Sequence, residues 1–210
     1  MIFRHILLSL FWMAYCLLHS ILASGKLKLF LEKKFNNFFR YYRLSYSIFA
    51  TVTLSLLLYF QFSFKSILII NSPSIRYAAF VLFILPGLLI MLMAIYKYFR
   101  LLSGVRSLYH KNNFSILRID GIHRYMRHPL YTGTLLFTWG LFFIFPFVSN
   151  LIAVCSISGY VLIGIKFEEK KLVKEFGDSY TAYKAKVPKL IPNLREGICL
   201  IKKGDRMGHP

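Results

Sequence analysis

Chemistry-bearing residues concentrate in two short runs of this chain. The first, Asp120 to Gly133, reads Asp-Gly-Ile-His-Arg-Tyr-Met-Arg-His-Pro-Leu-Tyr-Thr-Gly and leads directly into a long apolar segment. The second is the pair Glu168-Glu169, which follows that segment. In Arg127-His128-Pro129-Leu130-Tyr131, the proline pre-sets a helix start. Residues just before and within such a first turn expose backbone N–H groups, a favourable place for a carboxylate or other anion. The same residues also suit an interfacial loop with snorkelling arginines and tyrosines at headgroup level, and residue types leave both readings open. Glu168-Glu169 stands at a helix C-terminal end, where the dipole favours cations. The pair is either solvated and balanced by Lys171, Lys174 or the basic loop, or recognises an ammonium or hydroxyl groups.

The elements that must position these runs are apolar helices. Of 210 residues 57% are hydrophobic, 21 are Phe, and mean hydropathy is +0.55, above the usual soluble range. A spanning helix needs about 20 apolar residues. Candidate spans are Ile6–Ala23, Leu44–Phe64, Ile75–Phe99 (where Pro86-Gly87 predicts a kink), Leu130–Phe145 and Asn150–Phe167. Pro146 with Ser149-Asn150 predicts the turn of a hairpin between the last two. The expected fold is all-α, a polytopic membrane bundle of about five transmembrane helices with a cytoplasmic amphipathic helix at the C-terminus. That helix is read over Glu168–Lys189, broken at Gly177-Asp178 and ended by Pro188 and Pro192. The chain divides into N-terminal spans (1–110), a region holding both polar runs (111–192) and a basic tail (193–210).

The net charge of +19 would point to nucleic acid in a soluble protein. Here its distribution follows the membrane rule instead, and no nucleic-acid partner is expected. The first and third loops and the C-terminal segment carry six, seven and eleven Lys and Arg; the opposite side carries Arg4, Lys65 and Arg76. Five spans then place the N-terminus outside and the C-terminus in the cytoplasm, with both polar runs at the cytoplasmic surface. No cleavable leader is expected, because the first apolar run passes straight into a basic loop. Cys16, Cys155 and Cys199 form no CxxC pair, no His/Asp/Glu spacing suits a metal, and no phosphate-loop or nucleophile-elbow motif occurs.

Gly121-x-x-Arg124-x-x-Arg127-His128-Pro129-Leu130-Tyr131-x-Gly133 resembles the first half of the signature of integral-membrane methyltransferases. That superfamily holds isoprenylcysteine carboxyl methyltransferases, phospholipid N-methyltransferases and bacterial methanethiol S-methyltransferases. Its second half resembles Glu168-Glu169, Phe176-Gly177-x-x-Tyr180-x-x-Tyr183 and Val187-Pro188. The resemblance covers about residues 115–192, and Trp12 with His19-Ser20 looks most like the bacterial branch.

The resemblance implies S-adenosylmethionine held at the cytoplasmic membrane face under a C-terminal lid. His128, Pro129, Leu130 and Tyr131 would line the pocket, Glu168 would meet the cofactor's polar groups, and Ser115, Ile116, Leu117 and Arg118 would supply backbone contacts. His123 stands where the family often has Tyr. His128, His123 and Glu169 are open candidates for taking a proton from the acceptor, with His128 and Glu169 put forward as catalytic. Carboxyl-methylating members place Arg four residues before the first Glu; Gly164 is there instead. Lys166 nearby does not replace an arginine fork. This argues against prenylcysteine, and the expected acceptor is a small or lipophilic thiol, lipid amine or carboxylate, in a bacterial inner membrane. A non-catalytic membrane scaffold or a lapsed relative is the competing reading. A proton-coupled transporter is disfavoured by the lack of mid-span acids.

Overall fold

A computed structural model describes residues 1–35, 41–102, 117 and 119–193. Among them the chain is helical, with no extended strand. The elements are α1 (Ile2–Ala23), α2 (Gly25–Phe35), α3 (Tyr42–Phe62), α4 (Pro73–Ala79), a π-turn (Phe80–Ile84), α5 (Leu85–Leu102), a 3₁₀ turn (Gly121–Arg124), α6 (Pro129–Ile144) and α7 (Val148–Lys186). Four stretches are long and apolar enough to cross a membrane: Ile2–Ala23, Leu44–Phe62, Pro73–Tyr96 and Val148–Lys186. The fifth expected span, α6, is apolar but has 16 residues. At 1.5 Å per residue it reaches about 24 Å, against about 30 Å of hydrocarbon. Pro129 starts it and Pro146 follows it, so its length is set by two prolines.

Pro86 distorts its helix as expected, through a specific device. A proline ring clashes with the carbonyl four residues back and brings no N–H. The chain widens into the π-turn just ahead of it, where the Leu85 N–H reaches the Phe80 carbonyl five residues back. Gly87, one residue on, faces α6 at backbone contact: a Cβ there would meet the Phe137 nitrogen at 2.7 Å. Gly133 fits the reverse face, where a Cβ would come within 2.6 Å of Met91 and 2.8 Å of the Gly87 carbonyl. Gly140 packs against Ile84 in the same way, one π-turn further along. Lipid offers no hydrophobic drive between helices, so close approach through small residues is what binds them.

At the opposite end, a polar chain ties the N-terminal spans to the hairpin. Trp12 Nε1 donates to Gln61 Oε1 (3.0 Å), Gln61 Nε2 to Asn150 Oδ1 (2.7 Å), and Asn150 Nδ2 to the Phe145 carbonyl (2.7 Å). The loop between α3 and α4 covers the hairpin turn, with Ile69 N–H on the Pro146 carbonyl and Val148 N–H on the Ile67 carbonyl. The expected turn around Pro146 is therefore present, and its exposed backbone groups are met by a neighbouring loop.

The expected separate surface helix from Glu168 is instead a continuation of the last span. α7 runs 39 residues without a break at the polar boundary. Its one joint is Gly177, at φ 55°, ψ −128°, a conformation that a side chain would strain. This joint falls where the sequence places it, and it turns residues 178–193 back across the start of α6.

Gly133→Leu forces α5 and α6 apart, because backbone as well as the Met91 side chain stands in the way. It is expected to cost about 1–3 kcal/mol. Melting of the detergent-solubilised variant checks this: an unchanged midpoint would show that the two helices do not need this contact.

Candidate active site

The two polar runs meet. Arg127 and Glu169, 42 residues apart, form a buried ion pair, Nη2 to Oε1 at 2.7 Å and Nε to the same oxygen at 3.0 Å. The other Glu169 oxygen faces Lys184 Nζ (3.3 Å) and Lys189 Nζ (3.7 Å). Arg127 Nη1 donates to the Lys184 carbonyl (2.8 Å) and to the Val187 carbonyl. One guanidinium thus holds the hairpin base, the end of the last span and the end of the returning helix together.

Backbone pairing extends this clamp. Arg127 N–H donates to the Pro188 carbonyl (2.9 Å), His128 N–H to the Lys189 carbonyl (3.1 Å), and Asn193 N–H to the Tyr125 carbonyl (3.0 Å). Thr132 Oγ1 donates to the Leu190 carbonyl (2.8 Å), and Tyr183 OH to the His123 carbonyl (2.6 Å). Pro188 and Pro192 explain the geometry: a chain that can no longer be helical runs extended and offers its carbonyls to the side. This revises one expectation. The N–H groups of Arg127 and His128, just ahead of the helix start, are taken by the C-terminal segment; the start that remains for an anion is the first turn, Leu130 and Tyr131.

His128 is the N-cap residue of α6 and is 5% exposed. Its ring lies between the two glutamates, Nε2 at 3.4 Å from Glu169 Oε1 and Nδ1 at 3.8 Å from Glu168 Oε2. Tyr131 stacks obliquely beside it, ring centroids 5.7 Å apart, with its phenol within electrostatic reach of Glu168. Burial pulls the His128 pKa below its ordinary 6.5, against the opposing pull of both glutamates. Glu169 lies beyond the apolar part of α7. Burial alone would raise its pKa, but the Arg127 hydrogen bonds and charge outweigh this and hold it below the usual carboxylate range.

Glu168 differs from its neighbour. Its Oε2 is buried yet accepts no hydrogen bond among the described residues. An acceptor left without a donor is costly unless something fills the place. With the Tyr180 hydroxyl it is one of two buried side-chain polar atoms of the cluster that have no hydrogen-bond partner among the described residues.

Of the predicted site residues, the structure brings His128, Pro129, Leu130, Tyr131, Glu168 and Glu169 into one cluster. His123 sits in the 3₁₀ turn, tied to the returning helix through its carbonyl. Leu117 is half-buried, while Ser115, Ile116 and Arg118 lie outside the described residues. Arg127 was quoted in the signature but given no role. Its partner could not be read from spacing, although an arginine directly before His-Pro and a glutamate pair at a span end were both visible.

A family model described as phospholipid methyltransferase matches residues 75–179. The chain belongs to this family. The matched region runs from the third span through the clamp to just past Gly177, so it contains both halves of the cluster. Among relatives, methanethiol S-methyltransferase 2 of Bradyrhizobium diazoefficiens is 35% identical over 75 residues, covering 35% of this chain and 27% of that protein. Protein-S-isoprenylcysteine O-methyltransferase of Schizosaccharomyces pombe is 40% identical over 85 residues, covering 39% and 35%. A methanethiol S-methyltransferase of Crocosphaera subtropica is 34% identical over 98 residues, covering 43% and 37%. The matched stretch thus spans about a third of the length of these relatives. No solved structure matches the chain.

Glu169→Ala leaves the Arg127 guanidinium buried without its counter-charge and is expected to cost about 3–5 kcal/mol. A melting midpoint equal to that of the parent protein would refute the clamp. Acid is expected to destabilise the protein through two groups of the same sign. The unfolded chain binds more protons than the folded one both at His128, below pH 6.5, and at Glu169, in the carboxylate range. Between about pH 7 and 5, His128→Gln should therefore lose less melting temperature than the parent does. Parallel curves would mean that His128 titrates as in the open chain.

Proposed function

We propose that this protein is an S-adenosylmethionine-dependent membrane methyltransferase whose donor sits among His128, Pro129, Leu130, Tyr131 and Glu168 beneath the returning C-terminal segment. The observation that carries this reading is the meeting of Tyr131 and His128 with Glu168 across an apolar hairpin, clamped by Arg127 and Glu169. The unpartnered Glu168 Oε2 fits such a donor: it would accept from ribose hydroxyls or from the amino group. The N–H groups of Leu130 and Tyr131 would face the methionine carboxylate, and Leu117 with Ser115, Ile116 and Arg118 would add backbone contacts.

S-adenosylmethionine brings its own activation, a methyl group on a sulfonium, so the protein's task is orientation and exclusion of water. His128 contacts the donor as a neutral ring, held in place by both glutamates. Glu169, bound by one arginine and two lysines, braces the clamp and is a poor proton acceptor while so bound. His123 anchors the lid through Tyr183.

Two features support an apolar acceptor that is not a carboxylate. Gly164 stands where carboxyl-methylating relatives are expected to carry arginine, and a Cβ there would meet nothing within 4 Å. The relatives named above also include methanethiol S-methyltransferases. The distribution of Lys and Arg supports an outside N-terminus and a cytoplasmic C-terminus, as in a bacterial inner membrane.

Purified protein in nanodiscs is expected to bind S-adenosylmethionine by calorimetry. Glu168→Ala and His128→Ala should each weaken binding at least tenfold, about 1.4 kcal/mol. Folded parent protein without affinity for the donor would favour a scaffold, and parent-like affinity in both variants would remove these residues from the site.

A further inference from the structure

A second feature lies between α1 and α3, outside the clamp. The two helices splay to leave a cavity of about 260 Å³ whose walls are apolar, among them Phe11, Phe49, Ala50 and Leu57. Among the described residues its lining holds no Lys, Arg, Asp or Glu. The polar part of the lining is Thr53 and His19 with two of the tyrosines around it. Tyr46 OH is 2.7 Å from His19 Nε2, and the rings of Tyr15, Tyr46 and Tyr160 stand 5.8, 5.2 and 5.7 Å from the imidazole. Tyr160, on α7, is further fixed by a hydrogen bond to Ser20. The hydrogen bond to Tyr46 offsets the cost of keeping a histidine within an apolar wall.

The Tyr160 ring beside His19 ties this end of the cavity to α7, the helix that carries Glu168. Tyr160 lies eight residues, about 12 Å of helix, before Glu168. Tyr131 is in electrostatic reach of Glu168, Tyr160 and Tyr46 together. The tyrosines at His19 and the cluster thus lie within electrostatic reach of each other through Tyr131. A second apolar hollow, between Phe83, Trp139 and Ile191, has no titratable lining residue among the described residues.

We propose that the cleft between α1 and α3 is the acceptor site, that its occupant is an apolar thiol entering from the lipid, and that His19 takes the thiol proton. This rests on the methyltransferase reading above. The chemistry of the lining selects the occupant. A carboxylate would need a cation, and among the described residues the lining has none; an alkylammonium ionises near pH 10.4, too far above an imidazole to give up its proton there. A thiol ionises near pH 8.5, within reach of a neutral imidazole, whereas an alcohol does not. In the step, the S–H proton passes to the unprotonated His19 nitrogen. The freed sulfur pair forms a bond to the donor methyl carbon, and the methyl–sulfonium bond breaks with its pair kept by the donor sulfur, which becomes a neutral thioether. The positive charge ends on His19, where three tyrosine faces and edges surround it, and it is discharged to water.

The test uses full-length protein in nanodiscs, hexanethiol as acceptor and methyl hexyl sulfide as non-reacting ligand, with empty nanodiscs correcting for partition into lipid. His19→Gln is expected to lower kcat about 100-fold with little change in KM or in donor affinity. Ala50→Trp, which fills the cleft, should raise the hexanethiol KM at least tenfold. In donor-free protein, methyl hexyl sulfide should shift the His19 ring NMR resonances, and Ala50→Trp should abolish that shift. Donor affinity serves as the control for folding in both variants. If parent protein binds donor but does not methylate hexanethiol, the thiol assignment is overturned. If both variants keep parent kcat and KM and the His19 resonances do not move, the cleft is not the acceptor site. Only loss of donor binding by the parent protein would instead overturn the methyltransferase reading itself.

Discussion

The structure depends on one buried charge pair. Arg127 and Glu169 are each about 5% exposed and each satisfied by several partners: two carbonyls for the arginine, two lysines and a histidine for the glutamate. Such pairs contribute little net stability compared with a well-packed apolar alternative, but separating the partners is severe. This gives them a use other than strength. They fix which parts of the chain meet, here the base of α6, the polar end of the last span and the segment beyond Val187. The geometry of His128 and Glu168 follows, since each is the immediate neighbour of a clamped residue.

The adjacent glutamates illustrate how a single residue step separates two roles. Along a helix, consecutive side chains point about 100° apart. Glu169 faces the guanidinium and is saturated. Glu168 turns toward Tyr131 and the open side, leaving a buried oxygen without a donor. The clamp therefore uses one carboxylate to hold the frame and presents the other.

The membrane-facing part obeys different physics. Among the described residues, α5 and α6 meet through Gly87, Gly133 and Gly140 with almost no space for a methyl group, while α1 and α3 stand far enough apart to leave a cavity. Close packing on one side and a gap on the other are both needed if a rigid hairpin is to carry the site and an apolar molecule is to reach it. The polar chain from Trp12 through Gln61 to Asn150 holds the far end of α1 and α3 on the hairpin, so the gap opens without the helices separating.

The sequence alone determined what each segment had to be. Apolar length and the Lys/Arg distribution made the chain a bundle of membrane helices, Pro129 fixed where α6 begins, and the order of His128-Pro129-Leu130-Tyr131 and Glu168-Glu169 identified the family to which it belongs. These are local properties, set by chain stiffness, hydration and the types of adjacent residues. It did not reveal that α7 continues unbroken through the polar boundary, that a π-turn absorbs Pro86, or that Arg127 is the centre of the clamp. Nor did it show Gln61 between Trp12 and Asn150, or a cleft ending at His19. The clamp, the Gln61 bridge and the cleft at His19 join residues 27 to 89 positions apart, and no spacing along the chain encodes a distance that only close packing in three dimensions creates.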